Sequence, residues 1–142
     1  MIFIDATYII AIILEKDQWH ERVKDIEEKI SNKKKITSDI MITESMATIG
    51  SLKCGKIAKT MYNYIKDNYI IYETNMKTLD NGMDILLKYD GTLSLADSIA
   101  IEIMKELKIY EIVSFDEHFD NKEGIVRVHG TVKNSTDMSN SI

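Results

Sequence analysis

Residues 2–14, IFIDATYIIAIIL, contain the passage from a strand to a helix that decides the fold of this chain. Residues 2–4 are β-branched or aromatic, which is typical of a short buried strand. The strand is expected to end at Asp5. Apolar side chains then recur at helical intervals through residues 8–30, which predicts two helices with a break near Asp17. A strand followed directly by helices is the first unit of an alternating α/β chain.

The rest of the chain repeats this alternation. Short apolar runs predict further strands at residues 35–37, 69–72, 112–113 and 125–128. Amphipathic segments predict helices at residues 39–50, 56–66, 77–89 and 95–107, of which the last is the clearest. In the helix at 77–89 we expect four residues to face inward: Leu79, Met83, Leu86 and Leu87. The alternation indicates an α/β fold with a mostly parallel central sheet of about five strands and helices on both faces.

The composition is that of one globular domain. The chain has 142 residues, of which 44% are hydrophobic and 29% charged, so it can bury a core without a disulfide or a structural metal. Its single cysteine, Cys54, excludes an internal disulfide framework and a cysteine-based zinc site, and it fits a reducing compartment. We expect one domain over residues 1–130 and a polar, disordered tail over residues 131–142.

The sequence favours a cytoplasmic location. An acidic residue appears at position 5 with no basic leader before it, unlike a secretory signal. The most apolar stretch, residues 8–14, is about a third of the roughly 20 residues that a helix needs to cross a bilayer. We therefore expect neither export nor membrane insertion.

The charge balance limits how this chain could contact nucleic acids. Its 18 Lys and Arg against 23 Asp and Glu give a net charge of −5, which excludes a basic protein that coats nucleic acids. Only Arg22 and Arg127 are arginines, so lysines would have to supply the phosphate contacts. Two lysine groups could line an RNA path, although solvated surface is the commoner role: Lys33, Lys34 and Lys35, and Lys53, Lys56 and Lys59. The tyrosines at 62, 64, 69 and 72 could stack on bases or pack in the core.

Four acidic residues stand where a parallel sheet places its ligands, beyond the carboxyl ends of the strands. Asp5 ends the first strand and Asp116 follows the fourth. Asp97 lies in the first turn of the clearest helix, and Glu44 interrupts an apolar helical segment. All four could converge on one edge of the sheet.

Converging carboxylates repel one another unless cations offset their charge. Ligand sets of oxygen atoms, without clustered His or Cys, favour Mg²⁺ or Mn²⁺ over zinc. Such ions serve phosphodiester hydrolysis, because one ion lowers the pKa of an attacking water and a second stabilises the leaving oxygen. The three histidines are too scattered to form a metal motif, although His118 follows Asp116 by two residues.

Each acid also has a purely structural interpretation. Asp97 stands three residues after Ser94, which is the spacing of a capping box. Asp116 could cap a short turn that follows it, and Asp5 could cap the first helix. Glu44 could lie on a solvated helix face. The residues alone leave these alternatives open.

Four segments occur in a characteristic order: IFIDATYIIAIIL at 2–14, TSDIMITESMATI at 37–49, LSLADSIAIEIMKEL at 93–107 and VSFDEHFD at 113–120. Together they resemble the PIN-domain ribonucleases, which include the VapC-type toxins of toxin-antitoxin pairs. The resemblance covers roughly residues 1–129. It implies a PIN-like three-layer α/β/α sandwich and metal-dependent endonuclease cleavage of single-stranded RNA.

The resemblance also implies a site. The family's catalytic, metal-binding acids match Asp5, Glu44, Asp97 and Asp116, with Mg²⁺ or Mn²⁺ as the cofactor. Hydroxyl residues that the family often carries beside the first and last aspartates match Thr7 and Ser114, which could support the ligands or merely cap the backbone. Asp120 could add a ligand through a water, but a surface aspartate is the commoner interpretation.

We therefore expect a metal-dependent endoribonuclease that acts on single-stranded or structured RNA. The resemblance implies that it is the toxin of a VapBC-type pair, that an antitoxin protein is its partner and that it forms a homodimer. Two alternatives remain open from the sequence. One is a PIN nuclease that processes RNA, and the other is a non-catalytic α/β binding module that uses the acidic edge.

Overall fold

The computed structural model describes residues 1–132. Of the predicted disordered tail, residues 131–142, all but the first two lie outside the described residues, and the backbone N–H of Thr131 donates to Asp25 Oδ2 at 2.9 Å. The strands are β1 (Ile2–Ile4), β2 (Lys35–Ser38), β3 (Ile70–Tyr72), β4 (Glu111–Val113) and β5 (Val126–Val128). The helices are α1 (Ala6–Ile13), α2 (Val23–Ile30), α3 (Asp39–Leu52), α4 (Gly55–Asn68), α5 (Met76–Lys88) and α6 (Leu95–Leu107). Short 3₁₀ turns occupy His20–Arg22 and Glu117–Phe119. No helix within residues 1–132 is long and apolar enough to span a bilayer.

The five strands form one sheet in the order β3-β2-β1-β4-β5. Every neighbouring pair is parallel, with Phe3 of β1 opposite Ile36 of β2 on one side and opposite Ile112 of β4 on the other. The predicted parallel sheet is thus confirmed. Because all strands run the same way, their carboxyl ends meet at one edge, and β1 brings Asp5 to the middle of that edge.

Helices cover both faces of the sheet. Ile2 and Ile4 of β1 pack in a core cluster with buried residues of α1, α2, α3 and α4. Phe3, between them, points to the opposite face and packs with buried residues of α5 and α6, as the two-residue period of a strand requires. The architecture is therefore the expected three-layer α/β/α sandwich.

Helix α5 packs through a different face from the one predicted. Met83 and Leu87, expected to face inward, are 47% and 75% exposed, whereas the buried residues of α5 are Thr78, Gly82 and Ile85. A Cβ at Gly82 would stand 2.6 Å from the Cγ1 atom of Ile99 on α6. The two helices thus approach most closely at this glycine, and that contact turns Met83 and Leu87 towards solvent. The prediction was wrong for these two residues, because spacing alone does not reveal a close helix contact.

Candidate functional site

Asp5 is buried at the centre of the carboxyl edge, with only 2% of its surface exposed. Its Oδ2 atom accepts a hydrogen bond from Thr7 Oγ1 at 2.6 Å and another from Ser114 Oγ at 2.7 Å. Asp5 is the N-cap residue of α1 by position, but its side chain makes no capping hydrogen bond to the helix, so capping does not account for the buried carboxyl group. Burial raises the pKa of Asp5; the Thr7 and Ser114 hydrogen bonds oppose that rise, and the charge of Asp116 adds to it.

The Thr7 and Ser114 hydroxyls connect Asp5 to the loop after β4. Thr7 Oγ1 accepts the backbone N–H of Phe115 at 3.1 Å, and Ser114 Oγ accepts that of Asp116 at 3.0 Å. Each hydroxyl therefore receives one hydrogen from the loop and donates its own to the same oxygen of Asp5. Among residues 1–132, no side chain donates to the other oxygen, Oδ1. The backbone N–H of Ala6 also interacts with the Asp5 carboxyl and lowers its pKa.

Asp97 lies in the first turn of α6, 9% exposed. Its backbone N–H donates to Ser94 Oγ at 3.1 Å, so Ser94 caps the helix as the spacing predicts. The cap does not account for a buried carboxyl group, however. Burial, followed by the charges of Asp5 and Asp116, raises the pKa of Asp97 to about 7. This carboxyl therefore shares the edge with the other acids.

Asp116 lies in the loop after β4 and caps the 3₁₀ turn, as its structural interpretation predicts. Its Oδ1 atom accepts the backbone N–H of His118 at 2.9 Å and lies 3.0 Å from His118 Nδ1. Its charge also raises the pKa values of Asp5 and Asp97. Asp116 therefore caps a turn and belongs to the acidic site as well.

Glu44 is the most exposed of the four predicted acids. It lies on an exposed position of α3, which agrees with its solvated-face interpretation. Partial desolvation of its carboxyl group and the charge of Asp5 raise its pKa. Because α3 begins directly after β2, its second turn, which carries Glu44, lies near the carboxyl edge of the sheet.

The donor chemistry of these carboxyls fits a hard divalent cation. All the donors are oxygens, and within residues 1–132 Asp5, Glu44 and Asp97 have no Lys, Arg or His ion-pair partner. A divalent ion would offset the repulsion that raises their pKa values. The ligand sphere is not preformed, since no three His, Cys, Asp or Glu side chains in the described part of the chain are grouped to hold an ion.

The sequence offered Arg127 as one of only two arginines that could contact phosphate. In the structure it instead binds the loop that carries Asp116. Its Nε and Nη2 atoms donate to the two carboxylate oxygens of Asp120 at 2.9 and 3.1 Å. Its Nη1 atom donates to the backbone carbonyl of Ser114 at 3.2 Å. Asp120 is thus an ion-pair partner, and this pairing lowers its pKa. The sequence contained a signal for this contact: Arg127 stands between two valines in the short strand β5, a position that could have indicated a partly buried guanidinium.

The other arginine supports the same loop from a second direction. Phe115, between Ser114 and Asp116, stacks on Trp19 with ring centroids 5.2 Å apart and an angle of 11° between the planes. The guanidinium carbon of Arg22 lies 4.9 Å from the centre of the Trp19 ring, a cation–π distance. Both arginines therefore make intramolecular contacts that fix the loop after β4.

Comparison with known proteins gives a family match. The family model described as PIN domain matches residues 2–125. No curated protein matches this chain. Three solved structures share the fold, at sequence identities that support no conclusion beyond it.

The first of these structures is VapC20 of Mycobacterium tuberculosis, a sarcin-ricin loop cleaving toxin. It has a TM-score of 0.80 and 18% identity, with coverage of 91% of this chain and 99% of that chain. VapBC2 from Rickettsia felis, bound to a DNA fragment from its promoter, has a TM-score of 0.67, 12% identity and coverage of 92% and 100%. A toxin-antitoxin complex from Klebsiella pneumoniae has a TM-score of 0.65, 12% identity and coverage of 89% and 96%.

Proposed function

Because this chain belongs to the PIN domain family, we propose that it is a metal-dependent endoribonuclease that hydrolyses phosphodiester bonds of single-stranded or structured RNA. The observation that carries the proposal is the burial of the Asp5 and Asp97 carboxyl groups at the carboxyl edge of the sheet, with Asp116 tied to Asp5 through the Ser114 hydroxyl. Buried carboxyls without a cationic partner, as those of Asp5 and Asp97 are within residues 1–132, destabilise a protein unless they serve a ligand. A divalent cation is the ligand that this donor set suits best.

In this proposal Asp5, Glu44, Asp97 and Asp116 hold Mg²⁺ or Mn²⁺. When bound, such ions lower the pKa of an attacking water and stabilise the leaving oxygen of the phosphodiester. Thr7 and Ser114 orient Asp5 through its Oδ2 atom. Near neutral pH the carboxyl of Asp97 is partly protonated, so this proton competes with cation binding.

We further propose that the chain is the toxin of a VapBC-type pair, with an antitoxin protein as partner. The similarity in fold to VapC20 supports a toxin, and so does the similarity to two toxin-antitoxin assemblies. An exposed apolar stripe on α5, formed by Met76, Met83 and Leu87, supports contact with a protein, including the second copy of a homodimer. We further propose that the chain acts in the cytoplasm, which the proposed RNA substrate and the single cysteine support.

The proposal is tested by incubating the purified chain with a mixed-sequence single-stranded RNA and with an RNA stem-loop, in Mg²⁺, in Mn²⁺ and in EDTA. We expect cleavage with either metal, loss of cleavage in EDTA and loss in the Asp97→Asn variant. Asp84→Asn, which changes an exposed aspartate on α5, is the matched control and retains activity. Equal cleavage by Asp97→Asn would contradict the site. A folded chain that neither cleaves RNA nor binds Mn²⁺ would indicate a non-catalytic binding module.

A further inference from the structure

A long segment of this acidic chain carries only positive charges. Residues 45–66, between Glu44 and Asp67, contain four lysines and no Asp or Glu, whereas the whole chain has a net charge of −5. The segment spans the second part of α3 and most of α4. Such separation of charge creates a local basic surface on a protein that otherwise repels polyanions.

Two of these lysines are ordered around one aromatic ring. Lys59, Tyr62 and Lys66 are spaced three and four residues apart, so they share one side of α4. The Nζ atoms of Lys59 and Lys66 each lie 5.3 Å from the centre of the Tyr62 ring, within cation–π range. Tyr62 packs against the core cluster beneath α4, which fixes the ring. The ring therefore reduces the freedom of both ammonium groups.

The charges of Lys59 and Lys66 remain available to a ligand. Within residues 1–132, neither ammonium lies at ion-pair distance from a carboxylate. Cation–π contacts at exposed positions are weak, roughly 0.5–1 kcal/mol by general experience. An incoming phosphate can therefore compete for both groups.

The basic side of α4 lies on the helix next to the one that carries Glu44. Only two residues separate α3 from α4, and a Cβ at Gly50 would lie 3.8 Å from the Cβ atom of Ala58. The two helices therefore pack against each other beside the turn that joins them, and Met46 of α3 and Tyr62 of α4 both pack on the same core cluster. Met46 is two residues from Glu44 in α3. Packed helices are about 8–10 Å apart, so an RNA strand can reach from α4 to the acidic edge.

The other basic residues considered for an RNA path are placed differently. Lys33 pairs with Glu111 at 2.6 Å, and Lys33 to Lys35 stand at the start of β2. The start of a parallel strand lies at the edge of the sheet opposite the carboxylates, so that part of the RNA path was wrongly predicted. Arg22 stacks on Trp19, and Arg127 pairs with Asp120.

We propose that Lys59 and Lys66, held by Tyr62, form a phosphate-binding clamp for the single-stranded RNA that leads to the acidic site. This proposal rests on the proposed nuclease function. A single strand carries one phosphate per nucleotide and bends readily, so it can place one phosphate on each of the two ammonium groups. The clamp contributes affinity without reading bases.

The test measures RNA binding rather than cleavage. The full chain is titrated into a fluorescently labelled 20-nucleotide single-stranded RNA in EDTA, at several salt concentrations, and anisotropy reports the affinity. For the Lys59→Gln/Lys66→Gln variant we expect a loss of affinity of roughly tenfold near 0.1 M salt. The slope of log affinity against log salt should fall by about 1.4, which is about 0.7 for each lost phosphate contact.

Control variants distinguish a specific effect of Lys59 and Lys66 from the general effect of removing two positive charges. Lys24→Gln/Lys77→Gln removes two exposed lysines from α2 and α5, with the same change in net charge, and should bind RNA within about twofold of the unmodified chain. Tyr62→Phe keeps the ring and the affinity. Circular dichroism of each variant verifies that it is folded.

Equal RNA affinities for the two double variants would overturn the clamp, even if the unmodified chain cleaves RNA. Binding of a labelled oligo-glutamate peptide that depends on Lys59 and Lys66, with unchanged RNA affinity, would also overturn it and assign this face to an acidic protein. A chain that cleaves no RNA under any metal condition, yet loses RNA affinity only in the Lys59→Gln/Lys66→Gln variant, would support the clamp and contradict the nuclease proposal.

Discussion

Ser114 donates a hydrogen bond from its Oγ atom to Asp5 Oδ2 at 2.7 Å, across a sequence separation of 109 residues. The contact exists because β1 and β4 are parallel neighbours whose carboxyl ends lie side by side. The same Oγ atom accepts the backbone N–H of Asp116. One hydroxyl thus sets the relative positions of two of the proposed metal ligands.

Replacing Ser114 with Ala should therefore impair the site. The variant leaves Asp5 Oδ2 with one hydroxyl donor instead of two and removes the acceptor of the Asp116 N–H. Loss of a partner that orients a metal ligand typically costs 10–100-fold in metal affinity or activity, and we expect an effect of about that size on Mn²⁺ affinity. Calorimetric titration of Mn²⁺ measures it, with Ser31→Ala, an exposed serine at the end of α2, as control. Unchanged Mn²⁺ affinity would show that Ser114 is only a structural residue.

The metal-free protein should lose stability as the pH rises between about 4 and about 7. The pKa of Asp97 is about 7 in the folded state against an ordinary 3.8, so the folded chain holds a proton that the unfolded chain has released. The stability from this proton is fully present below about pH 4 and is lost as the pH passes 7. Asp5 and Glu44 shift in the same direction.

Urea unfolding in EDTA at pH 5 and pH 8 measures this loss. We expect the free energy of unfolding to be lower at pH 8 by up to about 2–3 kcal/mol, from about 1.4 kcal/mol per pKa unit. The Asp97→Asn variant should show a smaller difference, because it has no proton to release at this position. Parallel pH dependences of the two proteins would contradict the assigned role of Asp97.

The pair of Arg127 and Asp120 should behave as one energetic unit. Arg127→Met and Asp120→Ala should each destabilise the chain by about 1 kcal/mol, since each removes both hydrogen bonds of the contact while the Asp120 side chain, 44% exposed, remains partly solvated. In the double variant the two losses should overlap, with a coupling free energy of up to about 1 kcal/mol. A double-mutant cycle of urea unfolding gives this coupling. Fully additive losses would mean that the bidentate contact contributes nothing.

Gly82 should tolerate no side chain without displacement of α5. In Gly82→Ala the new Cβ would stand 2.6 Å from Ile99 Cγ1, and overpacking of this kind costs about 1–3 kcal/mol. Gly55→Ala is the control, because a Cβ at the start of α4 meets nothing within 4 Å. Thermal unfolding of both variants checks the expectation: a lower melting temperature for Gly82→Ala and little change for Gly55→Ala. Equal melting temperatures would show that the close approach of Gly82 to Ile99 does not determine how α5 packs on α6.

The sequence predicted the sheet because its strands are short, apolar and separated by amphipathic segments. A parallel sheet then requires that residues after β1 and β4 meet at one edge, which is why Asp5 and Asp116 could be placed together without coordinates. The inward face of α5 was not predictable in the same way. It depends on the approach of Gly82 to Ile99, a tertiary contact that leaves no periodic signal in the sequence.

The sequence indicated the four acids of the proposed site, but it did not show the contacts that support them. The resemblance to PIN domains indicated Thr7 and Ser114, but the direction of their hydrogen bonds depends on the backbone of residues 115 and 116. The pairing of Arg127 with Asp120 arises only once β5 lies beside β4. Local patterns could not bring these two residues together.

The central claim is that the acidic edge binds a divalent cation and uses it to cleave RNA. Titration of Mn²⁺ at pH 8, with RNA cleavage assayed on the same samples, tests this most directly. We predict that the unmodified chain and Asp84→Asn bind Mn²⁺ and cleave in proportion to the bound fraction, whereas Asp97→Asn binds weakly and cleaves at least 100-fold more slowly, in the range typical for loss of a central electrostatic group. Binding and cleavage by Asp97→Asn equal to those of the unmodified chain would contradict the account.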